Sequence, residues 1–368
     1  MTATRPANAD VQRRDALAEQ VFRSTIGALE VLHVYLGDRL GLYAAMAQHP
    51  DLSPAELSDQ AGIAERYARE WLEQQAVAGM VDVAEDTGVA DTRRYRLPAA
   101  AVDVLCDPYS LYFLAPLATM AVSVAGTLPH VVEAFRTGGG VPYEAYGADI
   151  RNGIARVNRP MFLHQLATEW IPALPDVAGR LRQSDPPARV ADLGCGSGWS
   201  TIALARGYPA ARVDGIDLDR ASIDDALDNA RDAGVADRVG FTCRDAADPE
   251  LAGRYDLVTL FETLHDMAHP VEVLRAARAM LAPGGVVLVA DERVAETFTA
   301  PGDELERFNY GWSAPHCLAA ALVESNSAAT GTVIRPDTVR RYASDAGFST
   351  STVLPIEHDF WRFYRLEA

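Results

Sequence analysis

Two periodicities divide the chain. Up to about residue 136 the apolar positions recur at helical spacing, and from residue 188 short apolar runs alternate with amphipathic stretches. Leu17, Val21, Leu29, Leu32, Leu36, Leu40 and Tyr43 predict a helix over 10–48, with Gly37 and Gly41 as breaks or close-packing points. Residues 52–61 open like a capped helix, with Ser53 as N-cap, Pro54 in the first turn and Glu56 three residues after the cap. A turn at Gly62 leads to a second helix over 64–80, carrying Tyr67, Trp71, Leu72 and Val77. Residues 81–84 and 94–97 can pair as a hairpin around Glu85-Asp-Thr-Gly88. Helix, turn, helix and hairpin together read as a winged helix. A helical connector over 99–136 then ends at Thr137-Gly-Gly-Gly140, expected as a flexible hinge. Residues 153–170 predict one more helix, and Pro186-Pro187 marks a boundary.

Beyond that boundary the pattern is strand, helix, strand. Strands are predicted at 190–193, 213–217, 239–243, 257–261 and 286–291, and helices at 199–207, 220–233, 270–281 and 337–346. Alternation of this kind builds a parallel sheet. Residues 351–356 and 360–366 read as a closing hairpin.

Composition sharpens the picture in three ways. At 368 residues, 49% hydrophobic, the chain fits two domains with a sizeable core. A formal net charge of −18 disfavours nucleic acid or an anionic membrane as the main partner. The four cysteines, Cys106, Cys195, Cys243 and Cys317, have no C-x-x-C spacing, so reduced thiols in a cytoplasmic protein are expected. Residues 1–14 are polar, without the apolar core of a signal peptide. Residues 108–132 carry no charge and are long enough to span a bilayer. Pro116, Pro129 and the flanking acids Asp107 and Glu133 favour instead a helix buried between domains or subunits.

The chemistry begins at the first strand of the alternating half. It runs Asp192-Leu-Gly-Cys-Gly-Ser-Gly198 into a helical pattern at Trp199. A strand, glycine turn and helix bring backbone N–H groups and a helix N-terminus up to a ligand. Cys195 within the turn reads as a small filler. The next strand ends at Asp217, placed to accept hydrogen bonds from both hydroxyls of a ribose. The pair of segments points to a nucleoside-containing cofactor.

The form D-x-G-x-G-x-G, followed by Asp217, Arg244-Asp245-Ala246, Phe261-Glu262 and Leu281-Ala-Pro-Gly-Gly285, resembles the class I S-adenosylmethionine-dependent methyltransferases. The resemblance covers roughly the second half of the chain. It implies an α/β fold: a Rossmann-like seven-stranded sheet with a reversed last strand, beside the winged-helix N-terminal domain. Many bacterial and plant small-molecule methyltransferases resemble this arrangement and use the N-terminal domain for dimerisation, so a homodimer of secondary metabolism is expected. The domains read as 1–140 (winged helix), 141–187 (linker over the cofactor side) and 188–368 (cofactor-binding, with an insertion at 293–335). Cofactor contacts are expected from Asp192, Gly194, Cys195, Gly196, Gly198 and Phe261, from Asp217 on the ribose, and from Leu218, Asp245 and Ala246 around adenine.

Glu262 and His265 follow the fourth strand, whose end faces the methyl donor. A histidine near pKa 6.5 can take a proton from a nucleophile, whereas His269 before Pro270 reads as a surface cap. In the insertion, Glu304, Asn309, Tyr310, Trp312 and His316-Cys317 read as a lid over the substrate. The catalytic candidates are therefore His265, His316 and Glu262. The pattern E-x-x-H-D-M with a later H-C also resembles a bacterial branch of winged-helix methyltransferases. Members of that branch methylate the carbon beside a 2-oxo-acid carbonyl with a chelating metal, and here histidines and carboxylates supply a candidate divalent-metal set of Glu262, His265 and His316, with Asp291 as a further donor. Two competing readings remain. One is a non-enzymatic winged-helix regulator, opposed by the acidic helix carrying Glu65, Glu70 and Glu73. The other is a methyltransferase fold recruited to a reaction without methyl transfer.

Overall fold

The computed structural model describes residues 8–248, 251 and 255–368; residues 1–7 of the polar N-terminus lie outside the described residues. The chain divides into two compact units, Met1–Val122 and Ser123–Ala368, so the boundary expected at 140 falls inside the second.

In the first unit the helix predicted over 10–48 is two helices, Asn8–Arg39 and Leu42–Gln48. Gly41 turns the chain between them at φ +68°, a left-handed conformation that costs glycine little. Gly37 is a close-packing point: a Cβ there would come within 2.4 Å of the Tyr43 ring and 2.7 Å of Trp71. Helix Pro54–Ala61 has the expected reciprocal cap, with Ser53 Oγ accepting from Glu56 N–H and Glu56 accepting from Ser53 N–H. Helix Glu65–Val77 follows, then strands β1 (Asp82–Glu85) and β2 (Arg94–Arg96), which pair antiparallel as a wing. Leu42, Tyr43, Leu57, Trp71, Leu72 and Tyr95 form the core of this winged helix.

The second unit is a seven-stranded sheet. Its strands are β3 (Arg189–Leu193), β4 (Arg212–Asp217), β5 (Val239–Cys243), β6 (Tyr255–Phe261), β7 (Leu281–Glu292), β8 (Thr350–Val353) and β9 (Trp361–Glu367). Their order is β5-β4-β3-β6-β7-β9-β8. β3 to β7 are parallel, and β9 runs antiparallel to both β7 and β8. Successive side chains alternate between the two faces. Val190, Leu257 and Leu288 pack with Trp170 and Ile202 on one side, and Ala191, Val258 and Val289 with Leu274 and Val339 on the other. Burial on both faces is why these strands read as unbroken apolar runs. β7 begins before its predicted start because Leu281 pairs with Tyr255 across an irregularity at Pro283-Gly-Gly285.

Two segments near the sheet differ from expectation. The end of Thr137-Gly-Gly-Gly140 is fixed rather than free, since a Cβ on Gly140 would lie 2.3 Å from Val323 N. Val141 N–H donates to Ala319 O at 2.9 Å. The helix predicted over 153–170 starts at Gly147, runs to Met161, and continues in wider π-type turns over Phe162–Trp170. Pro160, with no N–H to give, sits immediately before the widening. Among the described residues one helix, Ala115–Thr137, is long and apolar enough to cross a membrane; 39% of its most apolar window is buried, and the helix runs unbroken through Pro129.

Candidate active site

The carboxyl ends of β3, β4, β6 and β7 converge where open α/β sheets bind ligands. At the end of β3, Gly194, Gly196 and Gly198 all take positive φ. A Cβ on Gly194 would meet Thr263 Oγ1 at 2.3 Å, and one on Gly198 would meet the Phe241 ring at 2.8 Å. Gly196 is different: an added Cβ there meets nothing within 4 Å. The turn is tied down by Gly194 N–H to Ile216 O and by Gly196 N–H to Asp217 Oδ2, both at 2.8 Å.

Asp192 lies beneath this turn, 1% exposed. Ser200 Oγ and Thr201 Oγ1 donate to its Oδ2 at 2.6 and 2.7 Å, and Thr259 Oγ1 donates to its Oδ1 at 2.7 Å. Its oxygens hold strand, turn and helix together and do not line the cavity. Burial raises the Asp192 carboxyl pKa, and those three hydroxyls oppose the rise. Cys195 is likewise buried, its thiol pKa pushed up by desolvation.

Two hollows meet at Gly194. The first, of about 540 Å³, is lined by Gly194 to Ser197, Phe261 and Glu262 on the sheet side. Opposite them stand Arg151, Ile154, Ala155, Asn158 and Phe162. That stripe has helical spacing, so its periodicity was readable, but Arg151 did not stand out as chemistry without the turn it faces. The second hollow, of about 690 Å³, is lined by Asp217, Leu218, Asp245, Ala246, Asp266, Met267 and His269. Asp217 Oδ1 accepts from Asp219 N–H and Asp245 Oδ1 from Ala247 N–H, each at 2.8 Å. Leu218 is exposed along the same wall. His269 precedes helix Pro270–Met280 without a capping hydrogen bond and instead pairs with Glu324 at 3.3 Å.

Past β6, Glu262 holds φ +51°, rare for a residue with a side chain, while its N–H donates to Ala290 O at 2.8 Å. Asn158 Nδ2 donates to Glu262 Oε2. Desolvation pushes the Glu262 carboxyl up to about 7, and burial with the nearby Glu262 charge raises Glu292 well above its usual range. His265 is buried with its Nδ1 2.6 Å from Asp291 Oδ1 and its Nε2 3.2 Å from Asp266 Oδ1. Burial alone would lower its pKa, but these carboxylates raise it well above 6.5. Burial pushes Asp266 the other way, yet the imidazolium of His265 brings it down to about 2.

His316, on the turn Ser313–Cys317 of the insertion, is 4% exposed, edge-on to Tyr146 with ring centroids 4.8 Å apart. Burial lowers its pKa. Its Nδ1 is 3.4 Å from Cys317 Sγ, and its Nε2 is buried without a hydrogen-bond partner. The rest of the insertion is clamped by Arg335, which pairs with Glu306 at 2.5 Å and approaches Tyr310 Oη at 3.4 Å. Asn309 is fully buried there and Glu304 opens the helix Glu304–Trp312.

The metal trio expected from the sequence does not assemble. Among the described residues, the potential donors within 4.8 Å of one another are His265, Asp266 and Cys317. Glu262 is turned to Asn158, both His265 nitrogens already face carboxylates, and burial holds the Cys317 thiol at about 12, far from the thiolate a metal needs. These residues do not fit a divalent ion, so no metal enters the chemistry below.

Residues 184–338 match the family model for a methyltransferase domain. The chain carries a methyltransferase domain. Residues 27–106 match the Rv2258c-like winged HTH domain, in agreement with the first unit. A ubiquinone biosynthesis O-methyltransferase of Marinobacter nauticus is 40% identical over 104 residues, 28% of this chain and 43% of that protein. The chain matches only about a quarter to a half of the length of its curated relatives. The mitomycin 7-O-methyltransferase MmcR superposes with a TM-score of 0.69 at 19% identity, covering 97% of this chain and 99% of that one. Human N-acetylserotonin methyltransferase, solved in complex with SAM, superposes with a TM-score of 0.66 at 18% identity, covering 100% and 99%. At such identities the two structural likenesses concern the fold, which the methyltransferase domain and the winged helix share with them from end to end.

Proposed function

We propose that the chain transfers a methyl group from S-adenosylmethionine to a hydroxyl of a small metabolite. The observation that carries this reading is the glycine turn closed on Asp217, with Gly196 open to the hollow, at the same sheet edge as the His265–Asp291 pair. The cradle fits the cofactor: Gly196 admits close approach, Asp217 can accept from ribose hydroxyls, and Leu218, Asp245 and Ala246 offer walls for adenine. When bound, the cofactor supplies an electrophilic methyl carbon on sulfonium sulfur.

This chain's residues then need to align the acceptor and take its proton. Asp291 fixes the His265 ring through Nδ1, and Nε2, 3.2 Å from Asp266 Oδ1, becomes the proton acceptor once the acceptor hydroxyl displaces Asp266 from it. Because the flanking carboxylates hold the resting ring protonated, the neutral base is scarce at pH 7. Methyl transfer should therefore accelerate from pH 6 to 9, and a rate that peaks near 6.5 would count against His265 as base. His316 lines neither hollow itself, but it packs against Tyr146 and, at 6.1 Å between ring centroids, against Tyr143 of the first hollow, which supports an acceptor wall that excludes water. Oxygen is favoured over the carbon beside a 2-oxo acid because the carbon reading needs the metal trio Glu262, His265 and His316. The names of the curated relatives point the same way.

A homodimer in the cytoplasm is the assembly and setting we infer. The helix Asn8–Arg39 supports it, with Leu17, Val21, Phe22, Leu29 and Leu32 all exposed, a larger apolar face than a lone soluble helix carries. The regulator reading fares worse, since Arg66 and Arg69 on helix Glu65–Val77 are paired with Glu70 and Asp91 and so are poorly placed to meet phosphate. The test is mass spectrometry with methyl-labelled cofactor and a panel of hydroxyaromatic compounds and 2-oxo acids. A labelled oxygen-methyl product supports the proposal, and a product without an added methyl overturns it. His265→Ala should abolish turnover while keeping cofactor affinity; joint loss of both would make His265 structural.

A further inference from the structure

Where β7 ends, at the sheet edge that carries His265, Glu292 is 7% exposed. Its N–H donates to Asp291 Oδ1 at 2.8 Å, but its carboxyl makes no hydrogen bond among the described residues. The charges that act most strongly on it are Glu262, His265, Asp291 and Asp266, three carboxyls against one imidazolium. The arginines close by in the chain do not offset them: Arg293 is exposed, and Arg335 is engaged with Glu306 and Ala295 O. A second, independent set of polar atoms stands on the insertion. His316 Nε2 and both carboxamide atoms of Asn309 are buried without partners, which folded proteins seldom allow. The two residues are seven apart, about two helical turns, and so share one face of the insertion. That face reaches the acids, since Cys317 Sγ is 3.4 Å from His316 Nδ1 and within 4.8 Å of donor atoms of His265 and Asp266. The Tyr143 and Tyr146 rings, 6.1 and 4.8 Å from the His316 ring, suit an aromatic guest. A carboxylate on that guest meets like charge here, and an ammonium meets the opposite.

We propose that the methyl acceptor is a hydroxyaromatic compound carrying an alkylammonium group, which Glu292 takes, while His316 Nε2 and the Asn309 carboxamide hydrogen-bond its other polar groups. The inference rests on the proposed function and deepens it. Burial and the Glu262 charge keep Glu292 protonated at rest. As the ammonium arrives, Glu292 gives its proton to water and pairs with the cation. Glu292 thereby selects the acceptor, and proton transfer from the acceptor hydroxyl stays with His265.

The test is methylation of three catechols by the full chain with labelled S-adenosylmethionine. Dopamine, dihydrocaffeate and hydroxytyrosol differ in whether the side chain on the ring ends in ammonium, carboxylate or hydroxyl. The kcat/KM for dopamine should exceed that for dihydrocaffeate by at least about 30-fold, the scale of meeting an opposite rather than a like charge in a buried site, with hydroxytyrosol between them. Glu292→Gln should shrink the dopamine-to-dihydrocaffeate ratio by at least about tenfold. Calorimetry should find its S-adenosylmethionine affinity within about twofold of the wild type, and an unchanged melting temperature establishes that it folds. Dihydrocaffeate methylated as fast as dopamine, or a ratio unmoved by Glu292→Gln, overturns the inference and leaves the proposed function standing. Weaker S-adenosylmethionine binding by Glu292→Gln assigns the carboxyl to the sulfonium and also overturns it, as does a chain that binds the cofactor yet methylates none of the three. A wild-type chain that binds no S-adenosylmethionine overturns both.

Discussion

Asp192 shows how one buried side chain can hold a site without touching its ligand. Three hydroxyls donate to it, two from helix Trp199–Gly207 and one from β6, so Asp192→Ala strands those donors and should cost on the order of 3 kcal/mol. Urea unfolding measures this, and a loss below about 0.5 kcal/mol would remove Asp192 as the anchor of the turn. Titration makes a second prediction at this scale. Burial raises Glu262 to about 7, and the carboxylates beside His265 outweigh its burial and raise it too. Both folded values exceed the unfolded ones of about 4.3 and 6.5, so both stabilising contributions are complete below those values and fade as pH climbs. The melting temperature of the unliganded protein should fall from pH 5 to pH 9, and Glu262→Gln should flatten the fall around neutrality. A melting temperature that rises over this range contradicts the assignment.

At the scale of elements, the alternating half was legible because its strands are buried on both faces and its turns need glycine. Asp217 could be picked out from its place at the end of the second strand, Asp192 to Gly198 and Asp245 from the ordered motifs that resemble the methyltransferases, although Asp192 anchors the turn and lines neither hollow. What could not be read was three-dimensional: that Gly41 splits a helix, that Gly140 lies against Val323, and that Asp266 flanks His265. The metal trio failed for the same reason. Sequence spacing placed Glu262 and His265 three residues apart, but the left-handed turn at Glu262 sends its carboxylate to Asn158 instead. Gly140 now offers its own test. Gly140→Val adds atoms where even a Cβ would sit 2.3 Å from backbone, so it should displace the segment around Leu318–Ala321 that neighbours His316. Faster amide exchange across 318–323 is the expected readout, and unchanged protection would show that the contact is dispensable.

Over the whole molecule, the two units carry different demands. The winged helix has its own core and a long helix whose apolar face is uncovered, with Phe22 67% exposed. Light scattering should give twice the chain mass, and Val21→Glu with Phe22→Glu should return the monomer; a wild-type monomer at micromolar concentration would contradict the dimer. The sheet unit carries the chemistry, and everything proposed for it depends on the turn that begins at Asp192. The most direct measurement is calorimetric titration of the intact chain with S-adenosylhomocysteine. One site per chain, lost when Gly196→Val fills the open side of the turn, is the predicted result. Absence of binding by the wild-type chain, or undiminished binding by Gly196→Val, would contradict the account.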